Sequence, residues 1–248
     1  MNEATENDGT GRQFPATRYS LIEGSRSPEP QARQRALEML ICAYWKPVYK
    51  YVRLHWKKQN EEAQDLTQAF FARLLEKQLL DRFDARRARL RTYLRVCVDG
   101  FVINEGQAAR RLKRGGDVTL LPLEFATAEG ELLQLGMVAA GDPEEFFSRE
   151  FARNLFALAV ERLRNECADN GKQQQFQIFE LYDIEEDGKQ LTYDELADRF
   201  RIKPTDVTNQ LAYARRQFRR IVLDELRALS TSEEDFRHEV QALLGVKL

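Results

Sequence analysis

Residues 192–226 read TYDELADRFRIKPTDVTNQLAYARRQFRRIVLDEL, and this stretch predicts two helices joined by a tight turn. Thr192 and Glu195 have the spacing of a capping box, in which each side chain accepts a hydrogen bond from a backbone N–H at the helix start. Pro204 follows the turn at the first position of the second helix, where its missing N–H costs nothing. A short helix, a tight turn and a longer basic helix are the arrangement that reads the DNA major groove.

The second of these helices has two distinct faces. Apolar residues recur at three- and four-residue steps from Val207 to Leu226, which predicts a buried side. The opposite side carries the polar and basic residues Thr208, Asn209, Tyr213, Arg215, Arg216, Arg219 and Arg220. Many helical hairpins look similar, so other segments have to support a role in DNA binding.

The charge of the chain is divided between neighbouring segments. The 248 residues carry a net charge of −2, so there is no whole-chain basic footprint for nucleic acid. Residues 82–114 contain ten basic and three acidic residues, whereas residues 115–150 contain one basic and eight acidic residues. Adjacent segments of opposite sign therefore account for the near-neutral total, and they could also attract one another.

The basic segment has the composition that unpaired nucleic acid requires. Tyr93, Phe101 and Asn104 are interleaved with its arginines and lysine. Phosphates need cations, and unstacked bases need aromatic faces. The alternative is a solvated, charged helix face.

The helix predicted over residues 61–80 has two apolar faces. Ala63, Leu66, Phe70 and Leu74 share one face and are expected to be core. A second face, more than about 100° away, carries Gln64, Gln68, Phe71 and Leu75. This second face indicates either a helix buried on two sides or a partner-binding surface with an exposed aromatic anchor.

These patterns predict an all-α protein with two helical domains joined by a long acidic linker. The predicted parts are a flexible tail at 1–30, a helical domain at 31–114 and the linker at 115–149. A helix-turn-helix domain at 150–228 and a C-terminal amphipathic helix at 229–248 follow. Pro47 is expected to kink or restart the first long helix, because proline removes a helical hydrogen bond.

The composition argues against an enzyme. The chain has only two histidines and three widely spaced cysteines, which we expect to be buried core thiols. No metal-ligand pair, phosphate-cradling glycine loop or partnered nucleophile is found in the sequence, so we expect no catalytic residue, metal or cofactor. No signal peptide or bilayer-spanning apolar run is seen, and the cytoplasm is the expected compartment.

Residues 65–75 (DLTQAFFARLL) resemble the second conserved region of bacterial sigma-70-type factors, in particular the extracytoplasmic-function (ECF) subfamily. Residues 14–21 (FPATRYSL), 43–49 (AYWKPVY) and 89–94 (RLRTYL) are similar to one group within that subfamily. The resemblance covers residues 14–114 and 150–244, with the motifs in the family's order and a helix-turn-helix at the end.

The resemblance implies a sigma factor that binds core RNA polymerase and directs promoter-specific initiation. Its polymerase-binding residues, which would dock on the clamp coiled coil of the largest subunit, are Asp65, Gln68, Phe71 and Leu75. Residues implied to bind and melt the minus-ten element are Arg86, Arg87, Arg89, Arg91, Tyr93, Arg95, Asn104, Arg110, Arg111, Lys113 and Arg114. Residues implied to read the minus-thirty-five element are Lys203, Thr205, Thr208, Asn209, Tyr213, Arg215, Arg216 and Arg219.

The other implied properties concern partners. The protein would be a monomer before it meets polymerase and would not bind membranes, and an anti-sigma factor is an additional partner that the resemblance allows. The acidic linker would thread the polymerase channels that later hold template and transcript.

The sequence also departs from the family. Lys203, Thr208 and Tyr213 stand where relatives tend to have a serine cap and basic residues. Asp99 and Gly100 place an acid and a helix-weakening residue inside the promoter-reading helix, which we expect to bend or to be closely approached there. Two other functions stay open, a helix-turn-helix regulator that acts without polymerase and a degenerate sigma-like protein that binds polymerase or an inhibitor without initiating transcription.

Overall fold

The computed structural model describes residues 21–76, 79–108, 123–134, 136, 141–185 and 191–246. All regular secondary structure in these residues is helical, which confirms the all-α prediction. The helices are α1 (Leu21–Ser25), α2 (Pro30–Leu54), α3 (Asn60–Glu76), α4 (Leu90–Ala108), α5 (Phe125–Gln134), α6 (Pro143–Asp169), α7 (Gln173–Phe179), α8 (Tyr193–Phe200), α9 (Pro204–Leu229) and α10 (Glu233–Leu244). A 3-10 turn (Leu79–Arg82) follows α3, and a π-helical turn (Glu180–Ile184) extends α7.

The described part of the predicted tail belongs to the fold. Leu21 and Ile22 in α1 are buried, and α1 packs on α2. The tail prediction is therefore wrong for residues 21–30, because two adjacent large apolar side chains find a place in the core. Residues 1–20 lie outside the described part of the chain.

Pro47 lies inside α2, and the helix continues through it instead of restarting. Because proline has no N–H, the carbonyl oxygen of Ala43, four residues earlier, loses its helical donor. The side-chain amide of Asn154 on α6 donates to this oxygen and to the carbonyl oxygen of Cys42, each at 2.9 Å. Thus α6 supplies the hydrogen bond that Pro47 removes.

The two halves of the chain meet along α2 and α6. Tyr44 stacks on Phe151 with ring centroids 4.9 Å apart, and Tyr51 meets Phe147 edge to face at 5.7 Å. All four rings are buried. The apolar side chains of both halves belong to one hydrophobic core, so the two predicted lobes are packed against each other.

The segment predicted as an acidic linker contains α5 and the start of α6. Phe125, Ala128 and Leu132 form the buried face of α5, and the Phe125 ring lies edge to face against Trp45 of α2, with centroids 5.5 Å apart. The spacing of these three residues is that of one helical face. The described part of residues 115–149 therefore differs from the predicted linker.

Ion pairs reinforce the contact between α5 and α2. Glu129 pairs with Arg53 at 2.5 Å, and Glu131 pairs with both Lys46 and Lys50 at 2.7 Å. Acids of the linker segment thus face basic residues of α2. Glu144, at the start of α6, also pairs with Arg95 of residues 82–114 at 2.7 Å, so the attraction that the sequence allowed between the two charged segments is present at this pair.

The helix-turn-helix predicted from residues 192–226 is formed by α8 and α9. The Thr192 hydroxyl oxygen accepts a hydrogen bond from the Glu195 N–H at 3.2 Å, and the Glu195 carboxylate accepts one from the Thr192 N–H at 2.7 Å. The predicted capping box is therefore confirmed. Pro204 opens α9 as predicted, and Val207 and Leu211 lie on its buried side.

The C-terminal segment forms α10, which packs on α9. Phe236 and Val240 are buried, as the amphipathic pattern predicted. The helix is capped by Ser232, whose Oγ accepts a hydrogen bond from the Asp235 N–H at 3.1 Å. Ser230, two residues earlier, does not cap the helix, because its hydroxyl donates to the Leu226 carbonyl oxygen.

A helix that crosses a bilayer needs about 20 consecutive, predominantly apolar residues. None of the described helices is long and apolar enough to span a membrane.

Candidate nucleic-acid interface

The start of α9 lies at the protein surface and follows a sharp turn. Arg201 ends α8 in the left-handed conformation, with φ of 55°, and reverses the chain direction. The Lys203 N–H then donates to the Asp206 carboxylate at 3.3 Å, which fixes the first turn of α9. Helix starts present unpaired N–H groups and a partial positive charge, both favourable to a phosphate.

Over about the first four turns of α9, from Thr205 to Arg219, one face is open to solvent. At about 100° per residue, six residues of this stretch fall within an arc of about 100°. All six are exposed: Thr205, Thr208, Asn209, Ala212, Arg216 and Arg219. Amide, hydroxyl and guanidinium groups are the side chains that read base edges and hold phosphates in a major groove. Five of the eight residues predicted for the minus-thirty-five contact therefore share a face.

Two more predicted residues flank this face and have partners within the protein. Arg215 donates two hydrogen bonds to Asp183, each at 2.8 Å, and its guanidinium lies over the Tyr182 ring. The Lys172 ammonium lies 4.0 Å from the centroid of the Tyr213 ring. Arg215 is therefore held in place by partners within the protein although its side chain is 45% exposed, and Tyr213 is half-buried.

Sequence reasoning missed two cations beside this face. Arg199 and Arg201, at the end of α8, are exposed and add positive charge next to the start of α9. Their position before the turn could have indicated this, because a turn between two helices brings its flanking charges to the start of the second helix.

The loop before α4 carries two highly exposed arginines of the basic segment. The side chains of Arg86 and Arg87 are 91% and 87% exposed, although both lie near the Asp84 carboxylate, at 3.2 and 3.7 Å. Surface ion pairs of this kind contribute little and yield readily to a competing anion. Arg86 and Arg87 are thus available for phosphate contacts.

Arg91 is not available in this conformation. Its guanidinium donates to the Glu239 carboxylate of α10, and the residue is only 6% exposed. The same carboxylate lies 3.5 Å from Arg89, which is half-exposed. Glu239, near the other end of the chain, therefore competes within the molecule with DNA for Arg91.

Arg95 and Tyr93 also have partners within the protein. Arg95 lies 2.7 Å from both Glu144 on α6 and Asp99 on its own helix. The Tyr93 hydroxyl donates to the Leu79 carbonyl oxygen at 2.6 Å, and burial raises its pKa to about 12. Neither side chain is presented to a ligand as the resemblance implied.

The acid inside α4 has a structural role, whereas nothing near Gly100 requires a glycine. Asp99 accepts hydrogen bonds from the Tyr51 hydroxyl at 2.9 Å and from the Trp56 indole at 3.0 Å, in addition to its contact with Arg95. It therefore joins α4 to α2. A Cβ added to Gly100 would meet no atom within 4 Å, so the predicted close approach at this residue is wrong.

The remaining residues predicted for this surface divide into two groups. Asn104 is exposed on α4. The last four predicted contacts lie outside the described residues: Arg110, Arg111, Lys113 and Arg114.

The predicted polymerase-binding face of α3 is only partly at the surface. Asp65 is exposed, and Gln68 and Leu75 are half-buried. Phe71 is fully buried against Phe70, with ring centroids 5.2 Å apart. The interpretation of Phe71 as an exposed anchor is therefore wrong. The alternative, a helix buried on two sides, describes α3 better.

Two further chemical observations concern the titratable residues. Cys167 is buried and Cys97 half-buried, but Cys42 is exposed, so the prediction of three core thiols is wrong for Cys42. Within the described residues, no three His, Cys, Asp or Glu side chains lie close enough together to hold a metal ion.

Comparison with known proteins identified no relative. No family model, no curated protein and no solved structure matches this chain.

Proposed function

We propose that this protein is a sigma-type initiation factor that binds core RNA polymerase and reads promoter DNA with the exposed face of α9. The observation that carries the proposal is the capped helix-turn-helix with its row of exposed polar and basic side chains. A helix in the protein interior would bury these side chains. A helix surrounded by solvent would not need a second helix, joined by a tight turn, to support it. The motif order that resembles ECF sigma factors adds polymerase as the partner.

The proposal distributes DNA contacts over two surfaces. The face of α9 supplies duplex recognition, with Thr208, Asn209 and Arg216 at base edges or phosphates. The exposed pair Arg86 and Arg87, before α4, supplies phosphate contacts near the melted region. Neither surface carries out chemistry, because the bond-forming step would belong to the polymerase.

The polymerase contact rests on the part of α3 that reaches solvent. Among the four predicted contacts, Asp65 is exposed and charged, and Gln68 and Leu75 are half-buried. An exposed carboxylate can pair with basic residues of a partner coiled coil, at a modest gain for a rim contact. Phe71 supports this surface from beneath.

The first experiment is co-elution with purified bacterial core polymerase on a sizing column. We expect wild type to co-elute and Asp65→Lys to elute separately. Glu38→Lys, which makes the same charge change at an exposed position of α2, should still co-elute. Failure of the folded wild-type protein to bind polymerase would reject the sigma function.

The burial of Phe71 favours a second candidate, a helix-turn-helix regulator that acts without polymerase. A regulator needs the exposed face of α9 and does not need α3 to dock on a partner. The two functions differ in one measurement, because a regulator would bind its DNA site tightly in the absence of polymerase.

A further inference from the structure

The last helix of the chain covers part of the basic surface at the start of α4. Phe236 and Val240 of α10 are buried against the rest of the protein, and the Arg227 guanidinium lies 4.2 Å from the Phe236 ring centroid. This docking brings Glu239 to Arg91 and Arg89. A carboxylate from α10 thus occupies the position that a phosphate would take between two arginines.

There is no room for a phosphate beside the Arg91–Glu239 pair. The cavity next to it, lined in part by Tyr44, Phe151 and Leu226, measures about 10 Å³. A single water molecule needs about that much space. A nucleic acid can therefore reach Arg91 only when α10 has moved.

The attraction between Arg91 and Glu239 is partly offset by unfavourable contributions. Burial of Arg91 and Glu239 costs desolvation energy that offsets their attraction. Burial raises the pKa of Glu239 even though Arg91 and Arg89 act to lower it, and the Arg91 Nε has no hydrogen-bond partner among the described residues. Only Phe236 and Val240 of α10 are fully buried apolar residues, so local separation of the helix withdraws just two fully buried apolar side chains from the core.

We propose that α10 is an autoinhibitory helix, which docks on Arg89 and Arg91 and must be displaced before these arginines contact nucleic acid. The inference rests on the proposed function, because it assumes that the basic segment binds nucleic acid. It adds a closed state to that function, in which the C-terminal helix and the DNA backbone compete for the same two cations. Whatever displaces α10, whether nucleic acid alone or a protein partner, would then increase the affinity for DNA.

The test measures the affinity for a fluorescent single-stranded oligonucleotide by anisotropy. In Glu239→Gln, Arg91 loses its counter-charge and α10 should leave its site, because a buried charge without its partner is unfavourable. We expect this variant to bind the oligonucleotide at least about fivefold more tightly than wild type, the lower end of typical coupling between sites. Glu234→Gln removes the same charge at an exposed position of α10 and should change the affinity by no more than about twofold.

A second variant separates release of α10 from the change in charge. Phe236→Ala removes the main apolar anchor of α10 and leaves every charge in place, so it should also increase the affinity. Circular dichroism would establish that the rest of the protein stays folded in each variant. Affinities of Glu239→Gln and Phe236→Ala that equal those of wild type would overturn the proposal.

The outcome is separable from that of the proposed function. If no variant binds the oligonucleotide, autoinhibition at Arg89 and Arg91 is rejected, whereas co-elution with polymerase still decides whether the protein is a sigma-type factor. If polymerase binding fails but Glu239→Gln binds the oligonucleotide more tightly than Glu234→Gln, the autoinhibitory helix stands and the sigma function falls.

Discussion

The side-chain amide of Asn154 lies 2.9 Å from the carbonyl oxygen of Ala43, the acceptor that Pro47 leaves without its helical donor. This contact joins α6 to the middle of α2 at a position buried in the core. A proline in a helix interior is usually costly, because it removes a hydrogen bond and crowds the preceding turn. Here a side chain from the other half of the chain offsets part of that cost.

We expect Asn154→Ala to lower the free energy of unfolding by about 1–3 kcal/mol, because buried backbone acceptors lose their donor. In the background of Pro47→Ala, the N–H of residue 47 can bond to the Ala43 oxygen, so the same substitution should cost less. Urea denaturation of the four proteins in this cycle gives the coupling energy. Equal costs of Asn154→Ala in both backgrounds would contradict the compensation.

The helices α8 and α9 could be predicted because the residues that define their ends are close together in the sequence. The features that could not be predicted depend on contacts between residues far apart in the sequence. The capping box of Thr192 and the position of Pro204 depend on residues within one turn of each other, so they can be read directly. The burial of Phe71 and the pairing of Arg91 with Glu239 depend on residues far apart in the chain. Periodicity identifies a second face on α3 but does not indicate whether protein or solvent covers it.

The acidic segment illustrates the same limit. Charge counting along the sequence shows that residues 115–150 are acidic, and glycines and a proline nearby suggested a connector. The apolar residues Phe125, Ala128 and Leu132 are spaced for one helical face, but they belong to a helix of only ten residues. A pattern this short indicates a packed helix only when it is known that α2 supplies the lysines and the arginine that face it.

Phe71→Ala tests whether this ring belongs to the core. We expect the free energy of unfolding to fall by about 3–5 kcal/mol, the usual cost of removing a buried phenylalanine. Leu75→Ala, at a half-buried position of the same helix, should cost clearly less. Urea denaturation measures both, and a Phe71→Ala protein as stable as wild type would restore the interpretation of an exposed anchor.

Gly100→Ala should stabilise the protein by up to about 1 kcal/mol. The residue is exposed inside α4, an added Cβ meets no atom within 4 Å, and alanine favours the helix over the unfolded chain. Gly171→Ala is the matched control, because Gly171 has φ of +66° and alanine is strained there. Thermal unfolding should therefore show an increase in melting temperature for the first variant and a decrease for the second.

The ion pair between Glu129 and Arg53 predicts a pH-dependent contribution to stability. Hydrogen bonds from the Arg53 guanidinium, at 3.0 and 2.5 Å, hold the pKa of Glu129 below its ordinary value of 4.5. The folded state thus favours the ionised carboxylate, so this stability is fully present above pH 4.5 and is lost as pH falls through the lowered pKa.

Melting temperatures of wild type and Glu129→Gln between about pH 3 and about pH 7 measure this contribution. We expect wild type to be the more stable protein at neutral pH and the difference to narrow in acid. Glu124→Gln, which removes an exposed carboxylate just before α5, should differ little from wild type across the range. A difference between wild type and Glu129→Gln that stays constant down to the lowest pH would contradict the assignment.

Arg216 and Arg215 are neighbours in sequence, and the structure predicts that removing them weakens DNA binding to different degrees. Arg216 is exposed at the centre of the face of α9, whereas Arg215 lies at its flank, held by Asp183 at 2.8 Å. With a duplex selected from random sequence by the wild-type protein in complex with core polymerase, Arg216→Ala in the same complex should weaken binding by about tenfold, typical of a base or phosphate contact. Arg215→Ala loses the same charge and should weaken binding by only about twofold, since its guanidinium is already engaged. Equal losses would mean that total charge, rather than the exposed face of α9, determines the affinity, and the recognition surface would have to be placed elsewhere.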